Sequence, residues 1–133
     1  MRLLIIENSE LIRKMTSLAF PSREHELQEA ENGLTALAFL AGTGRPFDAI
    51  VLDLQMPDMN GVEFLHTLRQ RALHRQTPVV VVTSERDDSP LLEEVRQMGV
   101  AAIVKKPWKP RELAEVVRRA WAASQTGDGH PGE

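Results

Sequence analysis

Residues 49–61 read AIVLDLQMPDMNG. The apolar run from Ala49 to Leu52 ends directly in the carboxylate of Asp53, and a loop carrying Pro57 and Gly61 follows. Unbroken apolarity over so few residues fits a strand covered on both faces, as in parallel sheets flanked by helices. Such a strand has no structural use for an acid at its tip. The rest of the chain must supply the charge that Asp53 faces.

Three further runs share the pattern: LLII at 3–6, VVVV at 79–82 and AAIV at 101–104. A weaker segment, HELQEA at 25–30, alternates and suits a sheet edge. Helical patterns lie between them. ELIRKMTSLAF repeats Leu11, Met15 and Leu18 behind a capping Ser9. LTALAFLAG sets Leu34, Leu37, Ala38 and Ala41 on one side and stops at Gly42. VEFLHTLRQRAL carries Phe64, Leu65 and Leu68, and residues 88–98 carry Leu91, Leu92, Val95 and Met98 before Gly99. A last helix starts at Pro110 and carries Leu113, Val116, Val117, Ala120 and Trp121.

The order is therefore strand–helix five times over. It predicts an α/β fold, a flavodoxin-like (βα)5 doubly wound parallel sheet. Strand order 2-1-3-4-5 fits best because it leaves the polar second strand at an edge. One domain spans 1–123, and residues 124–133, SQTGDGHPGE, read as a disordered tail.

Composition narrows the function. The 133 residues are 42% hydrophobic and 26% charged, an ordinary globular balance. Sixteen basic against nineteen acidic residues give −3, which argues against a sequence-independent binder of nucleic-acid phosphates. The absence of cysteine removes disulfides, thiolate metal sites and thiol catalysis. The N-terminal apolar run is too short for a signal peptide, and no stretch approaches the ~20 apolar residues of a membrane span. The expectation is a cytoplasmic protein without a membrane partner. The histidines at 25, 66, 74 and 130 lack metal-ligand spacing.

Open α/β sheets bind ligands beyond the carboxyl ends of their strands. There the chain places Glu7 and Asn8 after strand 1, Asp53 after strand 3, Thr83 and Ser84 after strand 4, and Lys105, Lys106 and Pro107 after strand 5. Singly, each reads as a solvated side chain or a helix cap. Together they set acids, an amide, hydroxyls and an ammonium at one end of the sheet.

The motifs IIENS, LDLQMPDMNG, VVVTS and KPW, with AENGLTAL at the second helix, resemble the receiver domain of two-component response regulators over roughly residues 2–122. The resemblance implies a stand-alone phosphoacceptor signalling module rather than an enzyme. Asp53 would take a phosphoryl group from a histidine of a sensor kinase or phosphotransfer protein. Glu7, Asn8, Asp53 and the backbone carbonyl of Gln55 would hold Mg²⁺, a hard cation that takes oxygen ligands. Lys106, Thr83 and Ser84 would stabilise the phosphoryl group, and Lys105, on the other side of the pleat, would be solvated. The Lys106–Pro107 bond would be cis. Gln55 and Glu85 would tune the phosphoryl lifetime. The output protein would dock on the face of helix 4, strand 5 and helix 5, with homodimerisation left open.

Two positions depart from the family pattern. Asn8 stands where a second acid is usual, which predicts weaker Mg²⁺ binding. Ile103 stands where many receivers carry a switching aromatic ring, and its bland reading is a strand aliphatic. Both changes also suit an alternative, a receiver-like interaction module that works without phosphorylation. A flavodoxin would need a glycine-rich phosphate loop after strand 1. A haloacid-dehalogenase-type phosphatase would need an acid at position 55, which is Gln55.

Overall fold

The computed structural model of the chain describes residues 1–126. Five strands form one parallel sheet: β1 (Arg2–Ile6), β2 (Glu26–Ala30), β3 (Ala49–Asp53), β4 (Val79–Thr83) and β5 (Ala102–Lys105). They lie in the order β2-β1-β3-β4-β5. β3 and β4 are buried at every residue, whereas β2 at the edge is exposed at Glu26 and Glu29. The carboxyl ends align through the pairs Ile6–Leu52, Asp53–Val82 and Thr83–Lys105.

Five helices cover the two faces: α1 (Glu10–Leu18), α2 (Gly33–Gly42), α3 (Gly61–Arg69), α4 (Pro90–Gln97) and α5 (Pro110–Thr126). The pleat divides the strand residues between two cores. Leu4, Ile6, Ile50, Leu52 and Val81 pack with Phe64, Leu65, Leu68, Leu92 and Val95. Leu3, Ile5, Val51, Val80 and Val82 pack with Phe20, Trp108, Leu113 and Val117. Each fully buried large aliphatic contributes about 1.5–3 kcal/mol. Trp108, the residue after Pro107, is 7% exposed and anchors the loop after β5 in the second core.

Local chemistry fixes the helix starts. Ser9 accepts from the Ile12 amide at 3.2 Å and Asn32 from the Thr35 amide at 2.8 Å. Asn60 and Glu63 form a reciprocal capping box on α3. Gly99, with φ of 73°, adopts the left-handed conformation just past α4. A side chain at Gly61 would collide with Leu54, so α3 begins hard against the residue that follows Asp53.

Four expectations are corrected. Leu11 and Leu18, read as the inner stripe of α1, are 67% and 74% exposed. Met15 of that stripe does face the core, with Ile12 and Ala19, beside a buried Thr16 whose hydroxyl donates to the Ile12 carbonyl at 2.8 Å. With its one polar group satisfied, Thr16 can be buried without penalty. Leu34 of α2 is 61% exposed, while Gly33, Ala36 and Leu40 turn inward. That helix is apolar on nearly every side, so periodicity carries no direction. The third helix ends at Arg69 rather than running to 73 and gives way to a 3-10 turn at Ala72–His74. The Arg69 guanidinium donates to the carbonyls of His74, Arg75 and Thr77 and draws the chain out of the helix. α5 extends through Thr126, three residues into the segment read as a tail, and residues 127–133 with His130 lie outside the described residues.

Candidate functional site

β1, β3 and β5 bring three charged residues together. By pleat parity Glu7, Asp53 and Lys106 continue the rows of Ile5, Val51 and Val104 on the α1/α5 side of the sheet. The Lys106 ammonium stands 3.3 Å from Glu7 Oε1 and 3.4 Å from Asp53 Oδ1. Glu7 is 4% and Asp53 2% exposed. The Lys106–Pro107 bond is cis. Lys105 pairs with Asp87 on the exposed surface at 3.3 Å.

Two buried carboxylates share one ammonium, so the cluster carries one formal negative charge. Burial pushes the Asp53 carboxyl up to about 6, and Glu7 adds to the rise; the Gln55 amide, donating to Asp53 Oδ1 at 3.1 Å, and Lys106 oppose it. The Glu7 carboxylate is itself held: Oε2 accepts from the Ser9 amide at 3.0 Å and Oε1 from Lys106. Excess negative charge on hard oxygen donors suits a divalent cation such as Mg²⁺. Among the described residues no cluster of three or more His, Cys, Asp or Glu side chains forms a metal site. A cation here would therefore rest on Asp53, the Gln55 carbonyl and Glu7, the last directly or through water.

Asn8 is exposed at the rim. Its carbonyl and that of Glu7 both accept from the Arg13 guanidinium, at 3.2 and 2.8 Å. Arg13 gave no separate signal in the sequence, although a cation in the first turn and a half of α1 is placed to fold back on the preceding loop.

The loop after β4 closes another side. Thr83 is fully buried and its hydroxyl accepts from the Glu85 amide at 2.9 Å, leaving its own O–H to donate elsewhere. The Ser84 hydroxyl donates to Gln55 Oε1 at 3.2 Å, joining the loops after β4 and β3. Glu85 Oε1 accepts from the Ser89 hydroxyl at 3.3 Å.

Other singled-out residues lie away from the cluster. Ile103 is half-buried against the α3/α4 core, consistent with a strand aliphatic. His66 is exposed, and His74 is buried with Nε2 3.1 Å from the Leu40 carbonyl. Sequence reasoning missed Asp58. Its carboxylate accepts from the Gly33 and Leu34 amides at 3.2 and 2.8 Å and so ties the loop after Asp53 to the start of α2. Burial raises its pKa, but the Leu34 and Gly33 amides outweigh that and hold it below the ordinary carboxylate value.

The response regulator receiver domain, as a sequence family, matches residues 3–118. The chain is 34% identical over 119 residues to regulatory protein AtoC of Escherichia coli K12, covering 90% of this chain and 25% of that protein. It is 27% identical to transcriptional regulatory protein SrrA of Staphylococcus aureus over 124 residues, 93% of this chain and 49% of that one. It thus spans a quarter to about half the length of these curated relatives. Chemotaxis response regulator CheY4 of Vibrio cholerae superposes with TM-score 0.79 at 30% identity, covering 90% of this chain and 97% of that one. A CheY-like receiver from Methanospirillum hungatei, at 22% identity and TM-score 0.84, covers 95% of this chain and 97% of that one and shares the fold.

Proposed function

Because the chain belongs to the response regulator receiver domain family, we propose that Asp53 is its phosphoacceptor and that phosphorylation there switches contacts with an output protein. The observation that supports this is the convergence of Asp53 and Glu7 on Lys106, at 3.4 and 3.3 Å, at the carboxyl ends of the strands. A phosphoryl group is transferred chiefly by positioning and by cations on its oxygens.

An Asp53 carboxylate oxygen attacks the phosphorus of a phosphohistidine. The P–O bond forms as the P–N bond breaks, and the histidine nitrogen leaves with the electron pair. Lys106 then turns from the carboxylates to the phosphoryl oxygens, and the Thr83 O–H donates to one of them. Mg²⁺, when bound, supplies further positive charge to the same oxygens. Its binding is weaker than in a two-acid pocket because Asn8 brings no charge and Glu7 is already engaged by Ser9 and Lys106.

The donor is a sensor kinase or phosphotransfer histidine. The output partner meets α4, β5 and α5, and the setting is the cytoplasm. Among the described residues no helix is long and apolar enough to cross a membrane. Incubation with acetyl phosphate and Mg²⁺ followed by intact mass tests the reading. The expected result is one added phosphoryl group, absent in Asp53→Ala. No addition, with partner binding retained, would favour a phosphorylation-independent interaction module.

A further inference from the structure

We infer that the end of the sheet opposite Asp53 carries a separate binding site, a cleft for a small anionic aliphatic molecule whose acidic head meets Arg69, Arg75 and Arg119 and whose saturated body lies along α5. The inference does not depend on the phosphoacceptor reading.

The cleft has a volume of about 760 Å³, within the range of small-molecule sites. Three segments enclose it: the end of α3 with the loop that leads to β4, the turn between α4 and β5, and the later half of α5. Pro78 and Ala101, which precede β4 and β5, lie in its wall. The length of β4, five residues or about 16 Å, therefore separates it from the acids.

Its charge is one-sided. Three guanidiniums line it, and no Asp or Glu of the described residues does. The chain as a whole carries −3, so this local excess of cations runs against the general balance. Arg69 is half-buried and donates through Nη1 to the His74, Arg75 and Thr77 carbonyls, yet among the described residues it meets no carboxylate. Burial lowers its pKa, the sign of a cation short of compensating charge. An anion bound beside it restores that compensation. Arg119 reaches Glu115 through Nε at 2.9 Å, and the Arg75 side chain makes no hydrogen bond or ion pair among the described residues. Planar guanidinium forks of this kind match the two oxygens of a carboxylate.

The rest of the lining sets the body of the ligand. Met98, Val100, Val116 and Ala120 are partly buried apolar side chains, and no aromatic ring of the described residues lines the cleft. It offers nothing for a nucleobase to stack on and suits an alkyl chain, to which the flexible Met98 adapts.

Decanoate is the probe, with decanol as its uncharged counterpart. Each is titrated, below its micellar range, into the isotope-labelled full chain and followed by amide NMR shifts. Decanoate gives saturable shifts centred on Val100, Ala101, Ala120 and Ala123, and decanol binds about tenfold more weakly. Arg75→Gln and Arg119→Gln, at exposed positions, each weaken decanoate binding about fivefold and leave decanol unchanged. Raising the salt concentration acts in the same direction. Thermal melts verify that the variants fold. Absence of saturable shifts, equal affinity for the two probes, unchanged decanoate affinity in both arginine variants, or shifts centred elsewhere overturns the inference. So does capture of a peptide of alternating Glu and Leu with no response to decanoate, which makes this face a protein contact instead. The phosphoacceptor reading stands or falls separately, on the intact-mass experiment.

Discussion

Asp53 is ionised at neutral pH against the preference of its surroundings. Its pKa is about 6 in the fold against an ordinary 3.8, first through burial and then through Glu7. Below pH ~4 the carboxyl is protonated in both folded and unfolded chains and the full stability is present. As pH rises from ~4 to ~6 the unfolded chain ionises first and native stability falls. Above ~6 the deficit is constant. Asp53→Asn therefore melts higher than the parent at pH 8 without metal, and the two converge near pH 4; a pH series of thermal melts reads this directly. Residue 8 acts on the same balance from the other side. Asn8→Asp adds a carboxylate at the rim, and even ~1.4 kcal/mol of added attraction raises Mg²⁺ affinity tenfold. A calorimetric Mg²⁺ titration of the two proteins checks it, and equal affinities would remove residue 8 from the metal site.

Among the elements, α4 starts without a side-chain cap. Its N-cap, Ser89, makes no side-chain bond to the helix and donates to Glu85 instead. Glu85 in turn donates its amide to Thr83. The first turn of α4 is thus connected, through two hydrogen bonds, to the hydroxyl at the end of β4, and Ile103 brings no ring to the task. Glu85→Ala frees Ser89 to cap its own helix, a gain of about 0.5–1 kcal/mol. Hydrogen exchange at the Leu91 and Leu92 amides should slow accordingly. α1 and α2 show where periodicity stops being informative. Apolar residues lie on both sides of α1, so counting apolar positions groups Met15 with Leu11 and Leu18 as readily as with Ile12 and Ala19. Burial of Thr16 and the grip of Arg13 on the preceding carbonyls decide the rotation, and neither is a property of hydropathy.

At the scale of the whole molecule, the sheet was legible because buried parallel strands are short unbroken apolar runs with polar tips. Its order followed from the one polar strand. The grouping of Glu7, Asp53 and Lys106 followed from the same topology and the period of two. The bond between Ser84 and Gln55 did not, because it joins rotamers on two loops 29 residues apart. The exposed leucines now take on meaning as surface. Leu11 lies in the first turn of α1, two residues after the loop at Asn8 and Ser9, and is 67% exposed at the rim of a site whose acid is almost wholly covered. On the phosphoacceptor reading proposed above, a phosphohistidine presented by a partner passes that rim, and an apolar side chain there gives it something to bury. Leu11→Glu is expected to slow phosphotransfer from a competent histidine donor about tenfold, a change of ~1.4 kcal/mol typical of one interface anchor. Its effect on uptake from acetyl phosphate should be much smaller. Parallel rate measurements with the two donors separate docking from chemistry.

One guanidinium, that of Arg13, secures the main chain on both sides of the bond between residues 7 and 8. The path of that loop is therefore indifferent to which short polar group hangs from position 8. A single-base change could install or delete an acid there without any rebuilding of the scaffold, and so alter the charge at the rim of the site while the path of the loop stays the same.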